Sequence, residues 1–153
     1  MSSWAELEGA APELAAAGRR LLYQFGPGLG FLATVRRDGG PRLHPICPVL
    51  TDGELWAFIL RRSPKCADLV RDGRFALHAF PPEAIDDEFV VHGRAFEHDK
   101  PDARAAVMAA TEAQVGVHDE VLFRLDIERA LLAVYEARGV FPPAYSRWSA
   151  TPG

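Results

Sequence analysis

The stretch "LRRSPKCADLVRDG", Leu60 to Gly73, gathers Arg61, Arg62 and Lys65 within a chain whose formal net charge is -4. Ser63 is a good helix N-cap and Pro64 suits the first turn, where its missing N–H costs no hydrogen bond. Lys65 then falls in that same first turn, against the positive end of the helix macrodipole, a placement that costs about 0.3–1 kcal/mol. A bound anion reverses the sign, because the orphan N–H groups of a helix start already point at one. Phosphate is the obvious chemistry, and an ordinary solvated cap is the plain alternative.

The other candidate groups are weaker. Cys47 and Cys66 have no CxxC spacing, which fits two free thiols in a reducing compartment. A redox role for Cys47 lacks a resolving cysteine nearby, and a cysteine on a half-buried strand is more often a small apolar filler. His78, His92, His98 and His118 show no i, i+4 pairing, so no metal site is expected. Glu88 begins an apolar run, but Asp86 and Asp87 beside it read equally well as a solvated loop. Pro45 and Pro48 interrupt "PRLHPICPVL" and mark an edge or bulged strand, since neither can donate to a ladder. Between those two prolines only Ile46 and Cys47 have amides to offer. No acid–base pair or nucleophile with a base stands out, so no catalytic residue is assigned.

The elements that must hold these groups are strands. Ser3 with Glu6 is a capping-box pattern, and Pro12 suits the start of a second helix running toward Gln24. "FLATVRR", "PRLHPICPVL" and "ELWAFIL" are apolar runs separated by Asp38-Gly39 and Asp52-Gly53 turns, which predict a strand meander. "SPKCADLVRD" is a short helix, "RFALHAF" a strand, "PPEAIDD" a polar loop, and "EFVVHGRAFEH" another strand. "KPDARAAVMAATEAQ" starts with Pro101 and is Ala-rich, so it reads as a helix. In "EVLFRLDIERALLAVYEA", Leu122, Arg124 and Asp126 alternate with Phe123, Leu125 and Ile127, giving one or two more strands. A last strand falls near Arg147 and Trp148. The fold class is therefore mainly β: an antiparallel barrel of about six to eight strands, with helices at the amino end, after the third strand and late in the chain.

Length and composition set the frame. A chain of 153 residues, 48% hydrophobic and 10% aromatic, has an ordinary globular composition and is long enough for a self-sufficient core. One domain over 1–153 is expected, with a helical segment at 1–25 and a tail at 144–153. A net charge of -4 argues against nucleic acid as the main partner. Glu6, Glu8 and Glu13 near the start, and no apolar run approaching ~20 residues, argue against a leader or membrane span and for the cytoplasm.

The arrangement resembles the flavin-binding split barrels related to pyridoxamine 5'-phosphate oxidase. The likeness rests on the "FLATVRRDGGPRLHPICPV" hairpin, the "DGELWAF" return strand, the "SPKCADLVRDGRFALH" helix and strand, and the later "VVHGRAFEHD" strand. The opening "SWAELEGAAPELAA" and the late Trp148 resemble an actinobacterial-type branch of flavin-binding proteins. The resemblance implies a homodimer that binds flavin mononucleotide (FMN) and transfers a hydride or electrons to a small substrate.

Carried onto this chain, it implies that Ser63 and Lys65 hold the cofactor phosphate. Pro64 replaces a frequent Arg, whose contact Arg61 or Arg62 would supply. It also implies that the flavin ring lies against backbone groups of His44, Pro45, Ile46 and Cys47 and of Phe58 and Ile59, with Glu88 and Trp148 near it. Phe31, Phe58 and Trp148 are candidates for buried or interfacial aromatics. His44 stands where the vitamin-processing relatives carry Arg, so oxidation of pyridoxamine phosphate is not expected. The same fold also takes an 8-hydroxy-5-deazaflavin or, with His44, His78 or His92 as axial ligand, a haem.

Overall fold

The structure, a computed structural model, describes residues 2–151; the last two positions of the tail lie outside the described residues. Two helices open it, α1 (Trp4–Ala10) and α2 (Pro12–Leu22). The Ser3 capping box is present in full, with the Glu6 side chain on the Ser3 amide at 2.7 Å and Ser3 Oγ accepting from the Glu6 amide at 3.1 Å. These helices bury Trp4, Leu7, Leu14, Leu21 and Leu22 against the sheet. α2 stops at Leu22 instead of reaching Gln24, whose amide bonds the Leu21 and Phe80 carbonyls at 3.0 and 2.8 Å.

Eight antiparallel strands follow: β1 (Gly30–Val35), β2 (Pro41–Ile46), β3 (Val49–Thr51), β4 (Glu54–Leu60), β5 (Arg74–Ala79), β6 (Glu88–Glu97), β7 (Glu120–Val134) and β8 (Ala144–Ser149). α3 (Pro64–Arg71) lies between β4 and β5, and α4 (Pro101–Ala109) between β6 and β7. The sheet order is β2-β1-β5-β6-β7-β4-β3, with β8 paired to β7. The expected meander is corrected here. β1–β2 and β3–β4 are hairpins, but "PRLHPICPVL" is two strands, and β4 pairs with β7 instead of β2.

That correction explains the shape. β2 and β3 are consecutive in sequence, joined only through Cys47 and Pro48, yet they are the two ends of the sheet order. An open flat sheet would hold its end strands tens of ångströms apart, at about 4.8 Å per strand. The sheet therefore curls into a split barrel until the two edges meet within a two-residue reach. Gly28, in the loop before β1, gives this crossover room: a Cβ there would overlap the Pro48 carbonyl oxygen.

β7 is a single strand of 15 residues that serves three neighbours, pairing with β6, β4 and β8. The main core fills the barrel side with Leu32, Leu55, Ile59, Leu77, Phe89, Val91, Phe123, Leu125 and Ile127. A second cluster of Val49, Trp56, Phe58, Val107 and Leu122 lies on the other face of β4, under α4. Burial on both faces is why "ELWAFIL" is an unbroken apolar run.

The β6–β7 register shifts between His92 and Gly93, and a Cβ on Gly93 would overlap the Asp126 carbonyl oxygen. Backbone on backbone cannot yield there, so only glycine fits the bulge. Gly93→Ala is expected to lower the unfolding free energy by about 2–4 kcal/mol, a fall in Tm of roughly 5–15 °C by calorimetry. Gly9→Ala, on an exposed helix with open space around it, should leave Tm unchanged or slightly raised.

Candidate functional site

Of the groups singled out from sequence, His44, Ser63 and Lys65 come together in the groove between β2 and the start of α3. α3 begins as expected. Ser63 is its N-cap, Pro64 its first residue, and Ser63 Oγ accepts from the Cys66 amide at 3.4 Å while donating to the Leu60 carbonyl at 2.8 Å. Pro64 has no N–H and the Cys66 amide is capped, so the amide of Lys65 is the one left to a ligand in this first turn. Engaging a phosphate with the Ser63 hydroxyl requires it to rotate off Leu60.

Lys65 is half-buried and pairs with no acidic side chain among the described residues. Burial pushes its pKa below the ordinary value, with the Cys66 thiol opposing. His44 faces the same groove from β2. Burial lowers its pKa, and the charges of Lys65 and Arg42 lower it further against the pull of Asp68. Arg61 is committed to Asp119 at 3.0 Å, whereas Arg62 is exposed and without an acidic partner among the described residues. Of the two arginines that sequence offered as substitutes, Arg62 is the available one.

Sequence reasoning missed the carboxylate under this groove. Asp68, on α3, is 2% exposed and accepts from Thr34 Oγ1 at 2.8 Å and Arg42 Nε at 2.7 Å, with Arg71 at 3.5 Å. Burial alone would raise its pKa. The hydrogen bonds from Arg42 and Thr34, with the charges of Arg42 and Arg71, outweigh that and hold it below the ordinary aspartate value. Arg42 is thereby fixed on the same face of β2 as His44. The available signal was the strand alternation of Arg42, His44 and Ile46, which turns all three toward α3.

Backbone direction decides the rest. The Arg36 amide bonds the Gly40 carbonyl at 2.8 Å, which sets the ladder so that Arg42, His44 and Ile46 bond across to β1. Leu43 and Pro45, and by continuation Cys47, turn their backbone to the open edge of β2. Pro45 is thus an edge proline, as expected, but Ile46 does not offer its amide to a ligand; in His44–Cys47 only Cys47 does. Burial raises the pKa of the Cys47 thiol.

On β4 the Arg61 amide bonds Asp119, so Ile59 bonds toward β7 while Phe58 faces the edge that short β3 leaves uncovered. The Phe58 ring is buried inside the chain, with the Arg104 guanidinium 5.0 Å from its centroid. Of the two roles expected of it, buried or interfacial, Phe58 takes the buried one within the chain. Ile59 is wholly in the main core.

Glu88 and Trp148 stand elsewhere. Glu88 begins β6, 3.8 Å from His78, at the far end of that strand from Ala95, which bonds the loop after α3. Trp148 packs from β8 against the main core opposite Ala130. With Arg147, Arg129 and His92 it lines a cavity of about 240 Å³. A second cavity of about 340 Å³ shares His92 and Arg129 and reaches past Ala33, Val35, Arg74 and Ala76 of β1 and β5 to Gly39 and Gly40 of the hairpin.

Asp68→Asn is expected to lower the unfolding free energy at pH 7 by about 1–3 kcal/mol, because two half-buried guanidiniums lose their counter-charge. The folded pKa is depressed, so the wild-type advantage is complete above the ordinary value of 3.8 and shrinks as pH falls below it. Urea titrations of both proteins from pH 7 to pH 3 check this, and parallel curves throughout would exclude Asp68 as the hub.

Comparison with known proteins agrees with this architecture. The family model described as pyridoxamine 5'-phosphate oxidase matches residues 20–133. No match was found among curated proteins. Among solved structures, the fold resembles a haem-binding protein from Mycobacterium smegmatis at TM-score 0.66 and 19% identity, covering 88% of this chain and 57% of that one. This chain thus spans little more than half the length of that protein. It also resembles HutZ, the haem storage protein from Vibrio cholerae, at TM-score 0.55 and 16% identity, covering 77% and 89%. A third is a protein related to general stress protein 26, of the pyridoxinephosphate oxidase family, from Clostridium acetobutylicum, at TM-score 0.62 and 10% identity over 95% of both chains. At these identities the structures speak for the fold alone. The match over residues 20–133, a span that includes β1 to β6, α3 and most of β7, makes this chain a member of the pyridoxamine 5'-phosphate oxidase family.

Proposed function

We propose that the chain binds FMN in the β2–α3 groove and serves as an oxidoreductase toward a small substrate. The observation that carries this reading is Lys65: a half-buried cation at a helix start, beside His44 and Arg42, with no acidic partner among the described residues. Such a charge cluster is costly to maintain unless an anion completes it. In the proposed complex Lys65, its amide and Arg62 hold the phosphate, with Ser63 once its hydroxyl rotates. The open edges at Cys47 and Phe58 supply backbone groups to the ring. The bound flavin supplies hydride or electron transfer, so the protein needs to bind, orient and exclude water more than to move protons.

A second copy completes the proposed site. The outward face of β2, β1, β5, β6 and β7 carries Leu43, Phe31, Ala33, Val35, Ala76, Val90 and Leu131, and Phe31 stacks on Phe80 at 4.4 Å. Leu43 is 63% exposed there. An apolar sheet face of this extent suits an isologous dimer.

Haem is the second reading, supported by the likeness in fold to the haem-binding protein from Mycobacterium smegmatis and the haem storage protein from Vibrio cholerae. His44 is the histidine of this groove that an iron would meet. The absorption spectrum of the protein purified from its own host separates the readings. Flavin bands support FMN, a sharp haem band supports the alternative, and near-ultraviolet absorption of a deazaflavin points to that cofactor.

Lys65→Ala removes one charge-assisted hydrogen bond, worth about 1.5–3 kcal/mol, so FMN affinity should fall roughly tenfold to a hundredfold while riboflavin affinity holds. Fluorescence titration measures both, and an unchanged FMN to riboflavin preference would sink the phosphate role. For the dimer, sedimentation equilibrium at micromolar concentration should give twice the chain mass, and Leu43→Glu should give the monomer. A wild-type monomer with cofactor bound would contradict the shared site.

A further inference from the structure

The guanidinium of Arg104, on α4, stands where several segments meet. It donates to Asp99 Oδ1 at 2.7 Å, just ahead of α4, and to the Glu120 carbonyl at 2.9 Å, at the start of β7. A further bond reaches the Gly116 carbonyl at 3.3 Å, in the loop that joins α4 to β7. Its central carbon also lies over the Phe58 ring of β4, 5.0 Å from the centroid. A planar fork of donors can serve all these acceptors and still cover a ring, which the compact ammonium of a lysine cannot do.

The loop at 111–119 is held from few points. Its internal bonds are local, the Ala113 amide to the Thr111 hydroxyl at 3.1 Å and the Val115 amide to the Ala113 carbonyl at 3.0 Å. Among the described residues, its polar ties to positions distant in sequence are Arg104 at Gly116 and Arg61 at Asp119, whose carbonyl accepts from the Arg61 amide at 2.9 Å. At its middle the backbone presses on Phe58: a Cβ on Gly116 would stand 3.0 Å from that ring and 2.9 Å from Met108. Val115 packs on the same hydrophobic cluster. The loop therefore lies on Phe58, and the Arg104 bond keeps its middle there.

Phe58 matters for its backbone. β3 pairs with β4 only as far as Val49 and Trp56, and two further residues in that register would set Cys47 opposite Phe58. The chain instead crosses from β2 at Cys47 and Pro48, so on that side Phe58 has no strand partner. This edge is kept in place by the ladder to β7 on its other side and by the grip on the Phe58 ring. Val49, Trp56, Val107 and Leu122 form the apolar part of that grip, and Arg104 with Gly116 completes it. A close-packed ring cannot shift without its neighbours, so a loosened loop is felt at the edge.

We propose that Arg104 is a positioning residue for the cofactor ring: by pinning the 111–119 loop onto Phe58 it fixes the backbone edge of β4 that the ring meets. The proposal rests on the reading that a flavin occupies the β2–α3 groove with its ring at Cys47 and Phe58, and it deepens that reading. Affinity for the ring is set from α4 and its loop, whereas affinity for the phosphate is set from the start of α3. The two ends of one ligand then answer to different substitutions.

The test compares Arg104→Met, which keeps an apolar stem and loses the fork, with Arg104→Lys, which keeps the charge. FMN and riboflavin affinities are measured by fluorescence titration. In Arg104→Met both should fall about tenfold, with the FMN to riboflavin preference within about twofold of the wild type, the reverse of the pattern expected for Lys65→Ala. Arg104→Lys should recover only part of the loss, because an ammonium cannot span the Gly116 and Glu120 carbonyls together. Should Arg104→Met fail to fold, Arg104→Lys carries the same comparison. The visible absorption bands of saturating flavin should also shift in Arg104→Met, since the ring then meets a displaced edge. Gly93→Ala, destabilised elsewhere, should leave affinities and bands as in the wild type, which separates positioning from loss of stability. Unchanged affinities and bands in Arg104→Met, a changed FMN to riboflavin preference, or a weakening shared by Gly93→Ala overturns the proposal.

Nuclear magnetic resonance of the flavin-free protein separates the clamp from the flavin reading. Arg104→Met should free the backbone of 113–118 on the nanosecond timescale and move the Phe58 amide resonance, while the Ile59 amide, bonded toward β7, stays in place. That result in a protein that binds neither flavin sustains the clamp and removes the cofactor. A loop and a Phe58 amide that stay as in the wild type overturn the clamp even where FMN binds at Lys65.

Discussion

Cys47 and Pro48 carry the chain from one edge of the sheet to the other, and the molecule is shaped around that short reach. Because β2 and β3 are the two ends of the strand order, the sheet must curl until its ends come within two residues of each other. Curling without full closure leaves two partly open edges side by side: the far side of β2 and the part of β4 that β3 does not reach. Open edges expose backbone donors and acceptors that water, a ligand or another chain must satisfy. Pro45 on one of them removes a donor that would invite strand pairing, which leaves the backbone at Cys47 and Phe58 on the uncovered stretches.

The electrostatics of the groove depend on Asp68. A carboxylate at 2% exposure is tolerated because Thr34, Arg42 and Arg71 converge on it. Its charge in turn lets two arginines stay close to His44 and Lys65, which would otherwise repel one another strongly. The cluster still carries more positive than negative charge, and both His44 and Lys65 have depressed pKa values, burial being the first cause for each. An anion placed there would relieve an arrangement that disfavours these protons.

The two faces of the sheet divide the work. The inner face and the helices packed on it make the main core, which Trp148 joins from β8, whereas the outer face carries an apolar band with His92, Arg129 and Arg147. β4 belongs to both, with Leu55, Ala57 and Ile59 in the main core and Trp56 and Phe58 under α4. This double burial makes β4 a rigid wall for the groove, since displacing it would open two hydrophobic clusters at once.

Much of this was legible in the chain itself. The Ser3 capping box, the Ser63-Pro64 start of α3, the alternation along β7 and the proline signature of β2 are local patterns, set by hydrogen bonds and periodicities that act within a few residues. The placement of Lys65 in the first turn of α3 was legible for the same reason, as a charge set against a helix dipole. Tertiary structure alone decided that "PRLHPICPVL" breaks into two strands on opposite edges, since either pairing satisfies the local pattern and only closure of the barrel selects one. It decided that Ile46 spends its amide on β1 and that Phe58 is covered by α4, because ladder direction and helix docking depend on partners far along the chain. It also made the site's central carboxylate: Asp68 is an unremarkable helical residue in sequence and acquires its role only when Thr34 and Arg42, 34 and 26 positions away, fold onto it.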